Sequence, residues 1–164
     1  DVVNAGTSQT QPGARDRVVP PVAAVLCVAV PMWLAARFSP ALALDLPGRL
    51  AASLALAVAG AAVALAGVAE FRRARTTVNP LRPERASALV VSGIFRWTRN
   101  PMYLGLGIAL LGWAWYLAHP LAALGVPAFV AWMSQSQIPR EERALERLFG
   151  DQFAHYRARV RRWL

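Results

Sequence analysis

The chain has 164 residues, 56% of them apolar and only 16% charged, with a net charge of +9 whose basic side is entirely arginine. That length holds one domain, and the exclusion of charge from several long runs argues against an ordinary soluble fold and for a small polytopic membrane protein. Two histidines and one cysteine leave a metal site almost no ligands and a disulfide framework none. The arginines lie beside apolar runs, where anionic lipid headgroups rather than nucleic acid are the expected counter-charge.

Residues 1–17 are polar, rich in Gly, Ser, Thr and Gln, and without apolar periodicity. They read as a disordered segment ahead of a single domain at 18–164. Four apolar runs follow, about 18–38, 48–69, 101–118 and 121–137, each near the length that crosses a bilayer core at about 1.5 Å per residue. Pro31 bends the first without forbidding it, because neighbouring helices satisfy a freed carbonyl. Gly60 and Gly67 in the second run, and Gly105, Ala109 and Gly112 in the third, form seams for close helix packing.

Between the second and third runs, Glu70 to about Val91 is a polar connection carrying Arg72, Arg73, Arg75, Arg82 and Arg85. Thr76 to Pro80 and Pro83 interrupt any continuous helix there. Only His119 and Pro120 separate the third and fourth runs, which predicts a tight antiparallel hairpin. His119 reads as a turn residue at the far surface rather than as a ligand.

The fourth run ends in Ser134-Gln-Ser-Gln137. These side chains either face protein or a water-filled cavity, or mark the helix leaving the bilayer. From about 140 to 163 the spacing of Leu145, Leu148, Phe149, Phe153, Tyr156, Val160 and Trp163 predicts an amphipathic helix, with a bend allowed at Gly150-Asp151. Its apolar face would lie on the membrane or fold back over the feet of the spans. The arginine-rich segments after the second and fourth runs place both termini in the cytoplasm by the positive-inside rule. The fold class is therefore all-α, with about four transmembrane helices, a hairpin of the last two and a cytoplasmic amphipathic helix.

Chemistry concentrates in Ser92-Gly-Ile-Phe-Arg-Trp-Thr-Arg-Asn-Pro-Met-Tyr-Leu-Gly105. Pro101 is a helix start signal and puts Asn100 at the N-cap, so Arg96, Arg99 and Asn100 sit at the water boundary and Tyr103 one turn inside. Trp, Tyr and Arg also collect at membrane surfaces as plain anchors. Fold-back of the tail would bring Glu141 and Glu142 to the same face, where carboxylates also suit the start of a helix. Together with Arg99 and the Ser/Gln patch, these groups offer donors and acceptors to a zwitterionic, hydroxylated ligand. No phosphate loop, dinucleotide fingerprint, Ser/His/Asp arrangement or zinc spacing is present.

This stretch, followed by a hairpin and by Glu141-Glu142-Arg-Ala-Leu145, Phe149-Gly150, Tyr156 and Val160-Arg-Arg162, resembles the isoprenylcysteine carboxyl methyltransferase family. The related phospholipid N-methyltransferases share the plan. The resemblance covers roughly residues 76–164, with Thr77 to Pro80 as the lead-in. It implies an integral membrane enzyme that binds S-adenosylmethionine between its last two membrane helices and its C-terminal segment, with a lipidic acceptor entering from the bilayer. The expected location, a bacterial inner membrane, rests on this resemblance and not on the arginine pattern. Carried over by position, Arg99, Asn100, Pro101 and Tyr103 match the Arg-His-Pro-x-Tyr motif, and Glu141, Glu142 and Leu145 match Glu-Glu-x-x-Leu.

Asn100 stands where many members have histidine, and it cannot act as a general base near neutral pH. Phe153, where tyrosine is common, is a lesser departure. The resemblance implies cofactor binding by Asn100, Pro101, Tyr103, Gln137, Glu141 and Glu142, with Arg99, Tyr103 and Glu142 as catalytic candidates and no metal. Membrane sterol reductases, which bind NADPH, share part of the C-terminal pattern. A non-catalytic helical membrane protein with a lipid-docking tail is the reading from a different class.

Overall fold

A computed structural model describes residues 20–75 and 87–164. The expected disordered segment at 1–17, the Thr77 to Pro80 lead-in, Arg82 and Arg85 lie outside the described residues. Among those described, all regular structure is helical.

Prolines set the helix starts. Helix α1 (Pro21–Phe38) and helix α3 (Pro101–Leu117) both open on proline, whose fixed φ and missing N–H suit the first turn. Pro31 sits inside α1 without ending it. Helix α2 (Arg49–Arg73) runs one turn beyond the expected 69 and so carries Glu70 and Phe71 to the foot of the bundle. Helices α1 and α2 are long and apolar enough to cross a membrane, whereas α3 is a shorter apolar helix of 17 residues.

The fourth run is not one helix. It divides into α4 (Pro120–Ala123) and α5 (Gly125–Trp132), broken near Leu124, where Pro127 has no N–H to give the Ala123 carbonyl. A π-turn, Met133–Gln137, then leads directly into helix α6 (Ile138–Arg159), with the Ile138 N–H bonded to the Met133 carbonyl. The wide turn lies just ahead of Pro139, whose ring would crowd the carbonyl four residues earlier in a regular helix. The tail helix is thus a continuation of the fourth run rather than a separate element.

Helix α6 also stops sooner than expected. Its kink falls at Gly150, in the left-handed region (φ 46°), as the Gly150-Asp151 pair allows. The backbone leaves the helix at Val160 (φ −120°, ψ 129°), so Trp163 does not extend the apolar face. It packs instead against the main core around Tyr103, Phe129 and Ile138.

The chain passes back and forth between two ends. At one, Ser39 meets His119, and the Leu44 N–H donates to the Ala118 carbonyl at 2.7 Å. His119 is buried there, not on the surface, with Nε2 3.0 Å from the Ser39 carbonyl. At the other end α6 folds back, placing Phe153 and Tyr156 in a second core with Val90 and Phe95. Leu148, expected on that face, is exposed. Phe71 closes this core edge-on against Phe95, ring centroids 5.2 Å apart.

Candidate active site

The two cores flank a cleft of about 660 Å³, open solvent included, bounded by Phe71 of α2, the segment 88–90, Phe95, the foot of α3 and α6 on both sides of its kink. Its size and its apolar lining with a few polar groups suit a small-molecule ligand. Arg99, Asn100, Pro101, Tyr103, Glu141 and Glu142 all line it. Gln137 does not reach the cleft wall, but its Nε2 donates to Glu141 Oε1 at 2.9 Å.

Each polar residue is held from elsewhere in the chain. Tyr103, one turn into α3 and buried, donates its hydroxyl to Glu141 Oε1. Burial pushes the Glu141 carboxyl up to about 7, while the hydrogen bonds from Tyr103 and Gln137 hold it from rising further and the neighbouring Glu142 charge adds to the rise. Glu142, one residue on and so turned by about 100° round the helix, faces cations instead. Arg99 Nη1 lies 3.0 Å from its Oε1, and Arg162 grips both oxygens, Nη2 to Oε2 at 2.6 Å and Nε to Oε1 at 3.1 Å.

Arg99 is only partly satisfied by that contact. Its Nη1 approaches Glu142 without hydrogen-bond angles, and its buried Nε has no acceptor among the described residues. Burial draws this guanidinium below its usual value against the opposing pull of Glu142, which marks a desolvated cation. A buried donor without a partner is costly in a finished core, so it points to a missing acceptor.

Asn100 is the N-cap of α3, yet its side chain caps nothing. Its Nδ2 donates to the Arg162 carbonyl at 2.9 Å, joined by Thr98 Oγ1 at 3.3 Å, and the Arg99 N–H donates to the Arg161 carbonyl at 3.0 Å. Pro101 packs its ring on Gly67, where an added Cβ would lie 2.9 Å from Pro101 Cγ.

Sequence reasoning passed over Arg162 as a site residue and reached Ser134 only as part of the Ser/Gln patch. The signal for Arg162 was its place at the end of the Val160-Arg-Arg162 run; for Ser134 it was the polar patch in an apolar helix. Ser134 accepts from Arg162 Nη1 through its carbonyl at 3.3 Å and from Trp163 Nε1 through its hydroxyl at 2.9 Å.

Residues 49–152 match the family model described as phospholipid methyltransferase. Over 88 residues, 54% of this chain, the sequence is 32% identical to an Arabidopsis thaliana protein named protein-S-isoprenylcysteine O-methyltransferase B. It is 31% identical over 104 residues, 63% of this chain, to the A form from the same plant. The chain spans 45% and 52% of the lengths of these two proteins. Over 63 residues, 38% of this chain, it is 49% identical to the whole of an uncharacterized protein of Haemophilus influenzae. No solved structure matches.

Proposed function

The chain belongs to the phospholipid methyltransferase family, and from that membership we propose that it is an integral membrane methyltransferase using S-adenosylmethionine at the cytoplasmic end of its helices. Its acceptor is a lipophilic molecule, an isoprenylcysteine-type carboxylate or another small lipidic substrate. The observation that carries this reading is the buried Arg99, with an Nε that lacks an acceptor, on the wall of an apolar cleft that also holds two glutamates.

The cleft fits the donor by its own chemistry. Arg99 would take the carboxylate, and Glu141 and Glu142 would take the ammonium and hydroxyl groups, while the aromatic lining around Phe71, Phe95 and Phe153 suits a flat base. Gln137 props Glu141, and Asn100 and Pro101 set the foot of α3, so these three act on the frame of the site.

The sulfonium, when bound, supplies an electrophilic methyl group. The work left to the protein is to align the acceptor and to keep water out. A carboxylate acceptor is already a nucleophile and asks for no base. Tyr103, at the junction of cleft and bundle, is placed to orient it, Arg99 being taken by the donor.

Phospholipid N-methylation is the second reading, and Glu141 favours it. A protonated amine must lose its proton before attack, and a carboxyl pushed up to about 7 takes protons near neutrality. Lipid analysis after expression separates the two, since only this reading produces N-methylated phospholipid.

Calorimetric titration of the detergent-purified protein with S-adenosylmethionine and S-adenosylhomocysteine, beside Glu142→Gln and an NADPH control, tests the whole proposal. Adenosyl binding that weakens at least tenfold in the variant is the expected result. NADPH binding in its place would point to a reductase-like protein, and binding of neither to a non-catalytic one.

A further inference from the structure

Arg162 is the residue most tightly engaged with the candidate site that no functional assignment has yet absorbed. It comes from the last five residues of the chain, beyond the end of α6, and is held there by several independent contacts. Its carbonyl accepts from Asn100 Nδ2 and Thr98 Oγ1, while the carbonyl of Arg161 accepts from the Arg99 N–H. Its guanidinium grips Glu142 with two nitrogens and reaches the Ser134 carbonyl with the third. The π-turn matters here, because widening the helix at Met133–Gln137 takes carbonyls off the regular ladder and leaves Ser134 able to accept. Trp163 Nε1 on Ser134 Oγ pins the far side.

The arithmetic of donors and acceptors gives this clasp a purpose. Glu142 is one carboxylate between two guanidinium groups. Arg162 holds it in the two-nitrogen geometry that makes the stronger pair. Arg99 is left with a one-sided contact of poor angle, so its Nε and part of its Nη1 capacity stay unspent. Without Arg162, Glu142 would be free to turn fully onto Arg99, and the hydrogen-bonding capacity that Arg99 keeps on the cleft wall would be consumed.

We propose that Arg162 is a positioning residue: its two-nitrogen grip on Glu142 reserves the Arg99 guanidinium for the carboxylate of the ligand. The proposal rests on the methyltransferase reading for the identity of that ligand. The clasp itself is a property of the chain.

The test combines a ligand comparison with a stability cycle, both on the full-length protein in detergent. The probes are S-adenosylhomocysteine and its decarboxylated analogue, titrated into wild type, Arg162→Ala, Arg162→Lys and Glu142→Gln. Arg162→Ala should weaken S-adenosylhomocysteine about tenfold more than it weakens the decarboxylated analogue, which keeps the ammonium and hydroxyl groups, and Arg162→Lys should recover part of that difference. An equal loss for both probes would overturn the proposal, because a merely structural role does not distinguish a carboxylate.

The stability cycle compares Arg162→Ala, Glu142→Gln and the double variant by unfolding. Non-additive effects support the clasp, and strictly additive ones overturn it. If wild type binds neither probe, the methyltransferase reading fails, and the cycle alone decides for or against the Arg162–Glu142 link.

Discussion

At Asn100 the chain has an amide where the resembling family often has histidine, and the amide spends its donor on the carbonyl of Arg162. What the position supplies in this fold is an N–H, and an imidazole offers one too. Asn100→His should therefore keep stability within about 0.5 kcal/mol of wild type, whereas Asn100→Leu, which leaves that carbonyl short of a partner, should cost about 1–2 kcal/mol by denaturation in detergent. Glu141 makes a second residue-level prediction, through pH. Its folded-state value is raised from 4.5 to about 7, so between those two values the folded state binds the extra proton. Stability contributed by the protonated form is complete below about pH 4.5, is lost as pH rises to about 7, and levels off above that, for a total of roughly 3 kcal/mol. Glu141→Gln keeps an oxygen for Tyr103 and Gln137 but cannot titrate. Thermal unfolding across pH 4.5–8 should slope downward for wild type relative to that variant, and parallel curves would refute the assignment.

Among the elements, α2 and α3 make the most extensive pairing in the fold, and glycine is the reason they approach so closely. A Cβ on Gly60 would meet the Gly105 carbonyl and lie 2.9 Å from the Ala109 nitrogen, and one on Gly105 would lie 2.8 Å from the Ala64 nitrogen. Both contacts are backbone, which does not yield as a side chain does. Gly60→Ala and Gly105→Ala should each lose about 1–3 kcal/mol in unfolding experiments. Gly107→Ala is the control on the same helix. Its Cβ would meet only the Phe129 ring, at 3.9 Å, and alanine favours helix, so it should be neutral or slightly stabilising. This seam was legible beforehand because small residues at helical spacing have a local signature. The helix starts were legible for a similar reason, as proline marks them. The end of α6 was not. Apolar spacing continues through Val160 to Trp163, and long-range contacts hold those residues off the helix, hydrogen bonds with Thr98, Arg99 and Asn100 some sixty residues away and others with Ser134 and Glu142.

On the scale of the whole molecule the charged groups divide the fold into two unlike ends. Arg99, Glu141, Glu142 and Arg162 gather at one, while the other holds the Ser39–His119 contact and the turn at Ala118. The gathering of the site at one end followed from the parity of the apolar runs, which returns residues 92–105 and 134–164 to the same side. The pairing inside it did not follow, because which arginine takes Glu142 depends on a π-turn and a tail strap that no periodic pattern encodes. With the site gathered at one end, the positive-inside rule predicts an orientation, the arginine-rich end facing the cytoplasm, and labelling tests it. Cys27 is the chain's sole cysteine, so a Cys27→Ala background leaves each introduced thiol as the only reporter. Arg147, on the exposed face of α6, and Leu124, 62% exposed beside the opposite turn, serve as the two positions. A membrane-impermeant thiol reagent should label Arg147→Cys only in inside-out vesicles and Leu124→Cys only in right-side-out ones. The reverse pattern would put the proposed adenosyl site on the side where no cytoplasmic cofactor reaches it, and labelling of both from one side would mean that the four expected passes do not all cross the bilayer.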